Sequence, residues 1–390
     1  MKKLLLLAAI LCAGVLSFAD AKADYANAEK LVKENKTSEA VKVLEKIAAS
    51  GEKDYATKAN FDLGIYYFQT KNNAKAKTHL SAVWNKGTEV TPETIEAAKW
   101  LHSIASSEKK ISEAEGYIDW LDKKTEGKDS DIVSNMIIFY FENNLQQKGQ
   151  ARYNTVSKST DKEFVAEVNY NLGQYYIEKN DLTKAKKYLQ DAYKQTPNAI
   201  VPAGFLLSQI ALAENDSKSA EKYLLEMNTQ TQNKNSRILT MLGSYYIEAN
   251  DLVKSEDYLK KAVAADSKNG EALFMLLAIY ESKNDTANIN STYNKLKAIV
   301  PKGLNKELGV VYASTGNAGL SEKYLKKSIN EDKDNEAKMY LGQLYFFTGK
   351  QNEGINLVKE AVKLKVKGSE EVLKELENIM KQPAATTPKK

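Results

Sequence analysis

The chain has 390 residues, 43% of them hydrophobic and 27% charged, so it can bury a substantial core and need not be disordered as a whole. Its 56 lysines and arginines against 51 acidic residues leave a net charge of +5, a poor footprint for nucleic acid, and only Arg152 and Arg237 offer the bidentate fork that phosphates favour. One cysteine, Cys12, and two histidines, His79 and His102, exclude a disulfide scaffold and most Cys/His zinc sites, while six prolines and 19 glycines are too few for a loop-rich β protein.

The chain opens with Lys2-Lys3, an apolar run from Leu4 to Leu16, and Ala19-Asp20-Ala21. A short positive start, an apolar stretch below membrane-spanning length and a small-x-small site describe a secretory signal peptide over residues 1–21. A lipoprotein would use Cys12, but Leu11 stands where a small residue is needed. Cleavage after Ala21 removes two lysines and one aspartate, leaving a charge of +4 and no cysteine. Such a chain suits an oxidising compartment, because nothing in it can mispair. The expected product is exported and most simply periplasmic, with no membrane segment after cleavage.

Internal self-similarity dominates the rest. YNLGQYYIEKNDLTKAKKYLQDAYKQTP (170–197) and LTMLGSYYIEANDLVKSEDYLKKAVAADS (239–267) share Leu-Gly, a tyrosine pair, an Asn-Asp-Leu turn and Tyr-Leu. The turn recurs at Asn180, Asn215, Asn250, Asn284, Asn317 and Lys350, in steps of 35, 35, 34, 33 and 33 residues, with earlier echoes at Asn72-Asn73 and Asn143-Asn144. A period near 34 with two helical segments per unit describes stacked helical hairpins. In the first helix, Leu172, Tyr176 and Ile177 form an apolar stripe, and Gly173 returns as Gly64, Gly243, Gly309 and Gly342. Glycine inside a helix costs ~1 kcal/mol against alanine, so its return predicts two helices crossing too closely for a side chain. Asn-Asp ends the first helix and caps the second. The second helix presents Ala185, Leu189 and Ala192, with its small residue recurring as Ala40, Ala76, Ala114, Ala220, Ser255 and Ser321. Pro197 and Pro301 are expected to close two units.

This pattern resembles the tetratricopeptide repeat, whose signature is Trp/Leu-Gly-Tyr on helix A and Ala, aromatic/Leu, Ala and Pro on helix B. Leu172-Gly173, Tyr176, Ala185, Leu189, Ala192 and Pro197 carry the match, and Leu242-Gly243, Tyr246, Ser255, Leu259 and Ala262 nearly repeat it. The resemblance runs over about 21–368. It is closest at 57–90, 166–199, 236–269, 302–334 and 335–368, and looser at 21–54, 201–234 and 270–303. Units at 95–128 and 130–163 depart from it, because His102 and Ile137 replace the glycine and should widen the crossing. The resemblance implies an all-α fold, a right-handed superhelical solenoid of about ten hairpins. Residues 369–381, with Val372, Leu373, Leu376, Ile379 and Met380 on one side, read as a capping helix that completes an array over 22–381. Residues 382–390 read as a disordered tail.

Candidate chemistry is sparse. KAKTHL (75–80) aligns with KAKKYL (184–189), so His79 takes the packed aromatic slot of Tyr188, Tyr223, Tyr258 and Tyr324. Glu115, Asp119 and Asp122 share a helix face, where a calcium or acid–base role competes with the ordinary reading of a solvated face. Lys186-Lys187, Lys260-Lys261 and Lys326-Lys327 are interleaved with acids and read as outer surface. Of each tyrosine pair Tyr66-Tyr67, Tyr175-Tyr176 and Tyr245-Tyr246, one ring should enter the hairpin core and the other should pack toward the neighbouring unit. No phosphate loop, GxSxG or HExxH motif occurs, and the chain reads as a non-enzyme without metal or cofactor.

Tetratricopeptide proteins typically grip a peptide or helix on the concave wall of their A helices, and the resemblance implies the same use here. Its inward positions map onto Tyr170, Asn171 and Gln174, then Phe205 and Gln209, then Arg237, Thr240 and Ser244, then Phe274 and Met275. Amides, hydroxyls and rings suit an extended peptide, although several rings could simply cover neighbouring turns. The family's clamp for a terminal carboxylate is not supported, since only Asn171 and Arg237 are of the right kind. The leading expectation is a non-catalytic adaptor in the bacterial cell envelope. The alternative is a polysaccharide- or peptidoglycan-associated module that uses surface tyrosines and lysines.

Overall fold

A computed structural model describes residues 20–50, 52–85 and 90–381. The expected leader, apart from its last two residues, and the 382–390 tail lie outside the described residues. The fold is all-α, with twenty-one helices and no strand among the described residues. Two compact units divide between Tyr223 and Leu224.

The first unit holds five hairpins: α1 (Asp20–Lys33) with α2 (Thr37–Ala48), α3 (Lys53–Gln69) with α4 (Asn73–Asn85), α5 (Pro92–Ser107) with α6 (Ile111–Lys124), α7 (Ser130–Glu142) with α8 (Gln146–Ser157), and α9 (Lys162–Glu178) with α10 (Leu182–Tyr193). It also holds α11 (Pro197–Ala213), and the unit boundary falls inside α12 (Ser217–Gln230). The second unit holds four: α13 (Ser236–Glu248) with α14 (Leu252–Ala265), α15 (Gly270–Ser282) with α16 (Thr286–Ile299), α17 (Leu304–Ser314) with α18 (Ala318–Asn330), and α19 (Glu336–Phe347) with α20 (Gln351–Lys363). Helix α21 (Ser369–Lys381) follows; it buries Leu376 against Phe346 and Val358 and leaves Ile379 and Met380 exposed. Thus three of the five apolar residues expected on one buried side, Val372, Leu373 and Leu376, pack inward. The odd-numbered members of the hairpins are the A helices and the even-numbered members the B helices.

Each A helix ends on a left-handed residue, at positions 35, 71, 109, 144, 180, 215, 250, 284, 316 and 349. Asn180, Asn215, Asn250 and Asn284 take this conformation, and the following Asp181, Asp216, Asp251 and Asp285 accept a backbone N–H from the first turn of the B helix. The Asn-Asp reading holds at these four turns. At the last two it shifts by one residue: Gly316 and Gly349 turn the chain, and Asn317 and Lys350 occupy the N-cap position. Only Asn317 caps there with its side chain, which accepts from Leu320. Pro197 is a second difference. It opens α11 at its first helical position, where its missing N–H costs no hydrogen bond, instead of closing the unit before it.

Glycine marks the closest crossings, as its recurrence predicts. A Cβ at Gly64, Gly173, Gly243, Gly309 or Gly342 would lie 2.5–2.6 Å from Leu80, Leu189, Leu259, Leu325 or Val358, each sixteen residues on in the facing B helix. The same slot holds His102 in α5, Ile137 in α7 and Leu277 in α15, and these hairpins have less backbone-to-backbone proximity than the five glycine hairpins. The Ile137 hairpin compensates in part by placing its glycine on the other helix. A Cβ at Gly149 would meet Phe141 at 2.6 Å.

Candidate functional site

The residues that hold the hairpins are easily separated from those left over for a partner. Three residues past the glycine slot stands a tyrosine that stacks on an aromatic ring of its own B helix. The Tyr176–Tyr188, Tyr246–Tyr258 and Tyr312–Tyr324 rings lie 5.4–5.6 Å apart at 1–19°. His79 fills this slot and stacks on Tyr67 at 5.6 Å and 11°, so its packed reading is correct. Asn60 donates its amide to Ala56, so its oxygen accepts from His79 Nδ1 at 2.9 Å. Burial, aided by Lys75, holds the His79 imidazole below its ordinary pKa. The partner ring of each tyrosine pair, Tyr66 or Tyr175, is only half buried, and Tyr175 reaches Glu142 of the preceding hairpin at 3.2 Å. Tyr245 and Tyr246 are both buried.

The acidic face of α6 is not simply solvated. Glu115 pairs with Lys148, Asp119 accepts from Tyr140 at 3.0 Å, and Asp122 pairs with Arg152 at 2.7 Å. All three therefore tie α6 to the next hairpin. The lysine pairs of the B helices are partnered in part, through Lys186–Glu214, Lys260–Glu256, Lys261–Asp257 and Lys326–Glu322. No group of three His, Cys, Asp or Glu placed to hold a metal exists among the described residues.

What remains is a set of grooves between successive A helices. Asn135, Ile138 and Glu142 of α7 face Asn171, Gln174 and Glu178 of α9 across a groove of about 370 Å³. A larger opening of about 730 Å³ lies beside it, between α5, α7 and the end of α9. In the second unit, α17 and α19 enclose about 300 Å³ with an uncharged lining that includes Val310, Tyr340 and Phe347.

Of the ten partner-binding candidates, the structure brings Tyr170, Asn171 and Gln174 together on α9. Gln174 donates to the Tyr170 hydroxyl at 3.2 Å, and Asn171 donates to Asp131 and Ser134 of α7 at 2.9 and 3.2 Å. Asn171 therefore joins two A helices as well as lining the groove. Phe205, half buried, and Gln209, exposed, stand one turn apart on α11. In the second unit Arg237 is exposed on the first turn of α13 and Ser244 is half buried further along it. Thr240 is buried; it donates to the Ser236 carbonyl at 2.8 Å and accepts from Asn269 at 2.9 Å, which leaves it no part in a surface. Phe274 covers a neighbouring turn by packing on Tyr312 at 5.7 Å, and Met275 packs into the cluster around Leu239 and Leu259.

Three buried asparagines, each four residues before the glycine slot, were not anticipated: Asn60, Asn169 and Asn305. Their oxygens accept from His79, Tyr153 and Tyr293 at 2.8–2.9 Å. The repeat alignment itself places them in one column.

A tetratricopeptide-repeat family model matches residues 166–198 and 236–269, which are the α9–α10 and α13–α14 hairpins. The chain carries tetratricopeptide repeats. Both matched hairpins have the glycine crossing and the stacked tyrosine pair. No curated protein matches the sequence. Among solved structures the chain is similar to MamA, at 17% identity over 51% of this chain and 97% of that one, with a TM-score of 0.31. It is similar to PilF of Pseudomonas aeruginosa at 18% identity, over 56% of this chain and 96% of that one, with a TM-score of 0.30. For YrrB, described as a TPR protein with an unusual peptide-binding site, the values are 12% identity, 58%, 97% and 0.33.

Proposed function

We propose that this tetratricopeptide-repeat chain is a non-catalytic scaffold of the bacterial cell envelope that binds protein partners in the grooves between its A helices. The observation that carries the reading is the division of labour just described. Ring stacks, asparagine braces and ion pairs occupy the faces between helices, whereas the α7–α9 groove presents Asn135 and Gln174, exposed amides that suit an extended backbone. The envelope location rests on the leader read in residues 1–21. No described helix is long and apolar enough to cross a membrane.

A photoreactive amino acid at Gln174 or Gln209 tests the proposal in cells, with the exposed Lys187 on the B-helix side as the control. Adducts with another protein are expected from the first two positions and not from the third. Monomer alone at every position would sink the scaffold reading, and co-sedimentation with purified wall polymer that is lost on Tyr170→Ala and Phe205→Ala would replace it. Sequencing the amino terminus of envelope-fraction protein should find Lys22 first; an intact Met1 would remove the exported location.

A further inference from the structure

The opening between α5 and α7 passes between two A helices onto the B helix α6, and unlike the uncharged opening at α17 and α19 it carries charged side chains. In the glycine hairpins a B-helix leucine or valine lies over the glycine. His102 stands in the slot instead, and α5 and α7 hardly touch along their backbones, whereas α7 and α9 run side by side. Ile118 and Leu121 of the B helix α6 therefore form the bottom of the opening together with Ile132 and Phe139 of α7.

The sides are polar and unevenly charged. The His102 Nδ1 faces the Ala114 carbonyl at 2.9 Å, and a carbonyl only accepts, so the proton sits on Nδ1 and Nε2 is left as an acceptor. Three lysines and one carboxylate line the space. Lys99 pairs with Glu96 at 2.9 Å and has Asp129 and Asp131 nearby, and Lys179 pairs with that carboxylate, Glu142, at 2.8 Å. Lys109 has no ion pair among the described residues; it is the exposed left-handed residue at the end of α5, one turn beyond Ser106. The covered Ser106 hydroxyl has no hydrogen-bond partner, which is uncommon for a buried polar atom. The end of the opening at Ser106 and Lys109 thus has an unmatched cation and an unused donor, while the Lys99 end is already rich in carboxylates.

From this asymmetry we infer that the opening takes an extended segment of a partner protein and sets an acidic side chain of that segment against Lys109. The inference rests on the scaffold reading above and adds to it the partner's chemistry and its direction. A volume of about 730 Å³ suits several side chains of such a segment. The exposed amide of Asn135 beside it can hold the segment's backbone, together with the amide oxygen of Asn143, whose nitrogen donates to the Phe139 carbonyl at 2.8 Å.

The test is selection of a phage-displayed library of random nonapeptides on the full chain, as wild type, Lys109→Glu and Lys99→Glu. Wild type should enrich sequences with Asp or Glu at one fixed position. Those peptides should bind Lys109→Glu about tenfold more weakly, with added salt weakening their binding to wild type but not to Lys109→Glu, and should bind Lys99→Glu with the acidic preference intact. Absence of acidic enrichment, or the same selection by Lys109→Glu as by wild type, overturns the inference. The scaffold reading fails separately: adducts at Gln209 without acidic preference refute only the role of the opening, and monomer at every crosslinking position refutes the scaffold.

Discussion

At Gly243 a methyl group would sit 2.5 Å from the side chain of Leu259, so alanine there must push the leucine or part α13 from α14. Overpacking of this kind costs about 1–3 kcal/mol, more than the ~1 kcal/mol that alanine returns as helix propensity. Gly116, in α6, has nothing within 4 Å of its absent Cβ and gains only the propensity. Gly243→Ala is therefore expected to lower the urea midpoint and Gly116→Ala to raise it; equal shifts would show that the helix, not the crossing, sets the glycine. His79 gives a prediction in pH. Its pKa is depressed in the fold, chiefly by burial, so the unfolded chain takes up the proton first as pH falls below the ordinary value of about 6.5. Stability is then lost on acidification through that range. His79→Tyr restores the ring that Tyr188, Tyr223, Tyr258 and Tyr324 supply in other hairpins and removes the titration, so its melting temperature should fall less than that of wild type between pH 7 and 5.5. An unchanged fall would leave His102, whose pKa burial also depresses, as the responsible group.

Elements are joined by carboxylates that reach from one hairpin to the next. Glu281 of α15 is the most buried of these, with 5% of its side chain exposed, and it accepts from Tyr324 at 2.6 Å and from Lys323 at 2.9 Å on α18. Glu322 of α18 does the same for Tyr345 of α19 at 2.7 Å, but with 30% exposed and two lysines in reach. Removing a hydrogen bond to a buried charge costs about 1.5–3 kcal/mol, and water makes good much of the loss at a partly exposed one. Tyr324→Phe should accordingly destabilise the chain clearly more than Tyr345→Phe when the two are unfolded in urea; a reversed order would discount burial as the cause. These links also mark the limit of what the sequence disclosed. The stacked tyrosines, the glycine crossings and the Asn-Asp turns lie within one repeat and return at one period, so comparing repeats exposes them. The carboxylates of α6 looked solvated because a single helix does not show that Lys148, Tyr140 and Arg152 wait on the next hairpin. Thr240 looked inward-facing by family position, but Asn269, at the N-cap of α15, draws it into the structure. The one-residue shift at Gly316 was hidden because Asn317 fits either turn position chemically. Of the candidate site, the amides on α9 follow from repeat position, but Asn135 lies in a unit that departs from the repeat, and the opening beside His102 depends on how far apart two A helices stand, which no local pattern encodes.

Across the molecule, hairpins in a linear array are stabilised mainly by their neighbours, so stability can vary along the chain and a single unfolding free energy does not describe it. Helix α8 is weakly anchored: among its residues only Gly149 and Val156 are buried, whereas α10 buries Ala185, Tyr188, Leu189 and Ala192. Its hairpin also lacks the glycine crossing, and α6 meets α7 over a shorter stretch than α4 meets α5 or α10 meets α11. A helix with few buried apolar groups opens at a lower free energy than the units around it. Native-state hydrogen exchange read by mass spectrometry should therefore find the amides of α8 exchanging well before those of α10, although both are B helices of similar length. Val156→Ala should widen that gap while leaving the protection of α13 and α14, in the second unit, unchanged. Equal exchange in α8 and α10, or a loss of protection in α13 and α14, would instead mean that the array opens as one cooperative body, and that the missing glycine at Ile137 does not divide it.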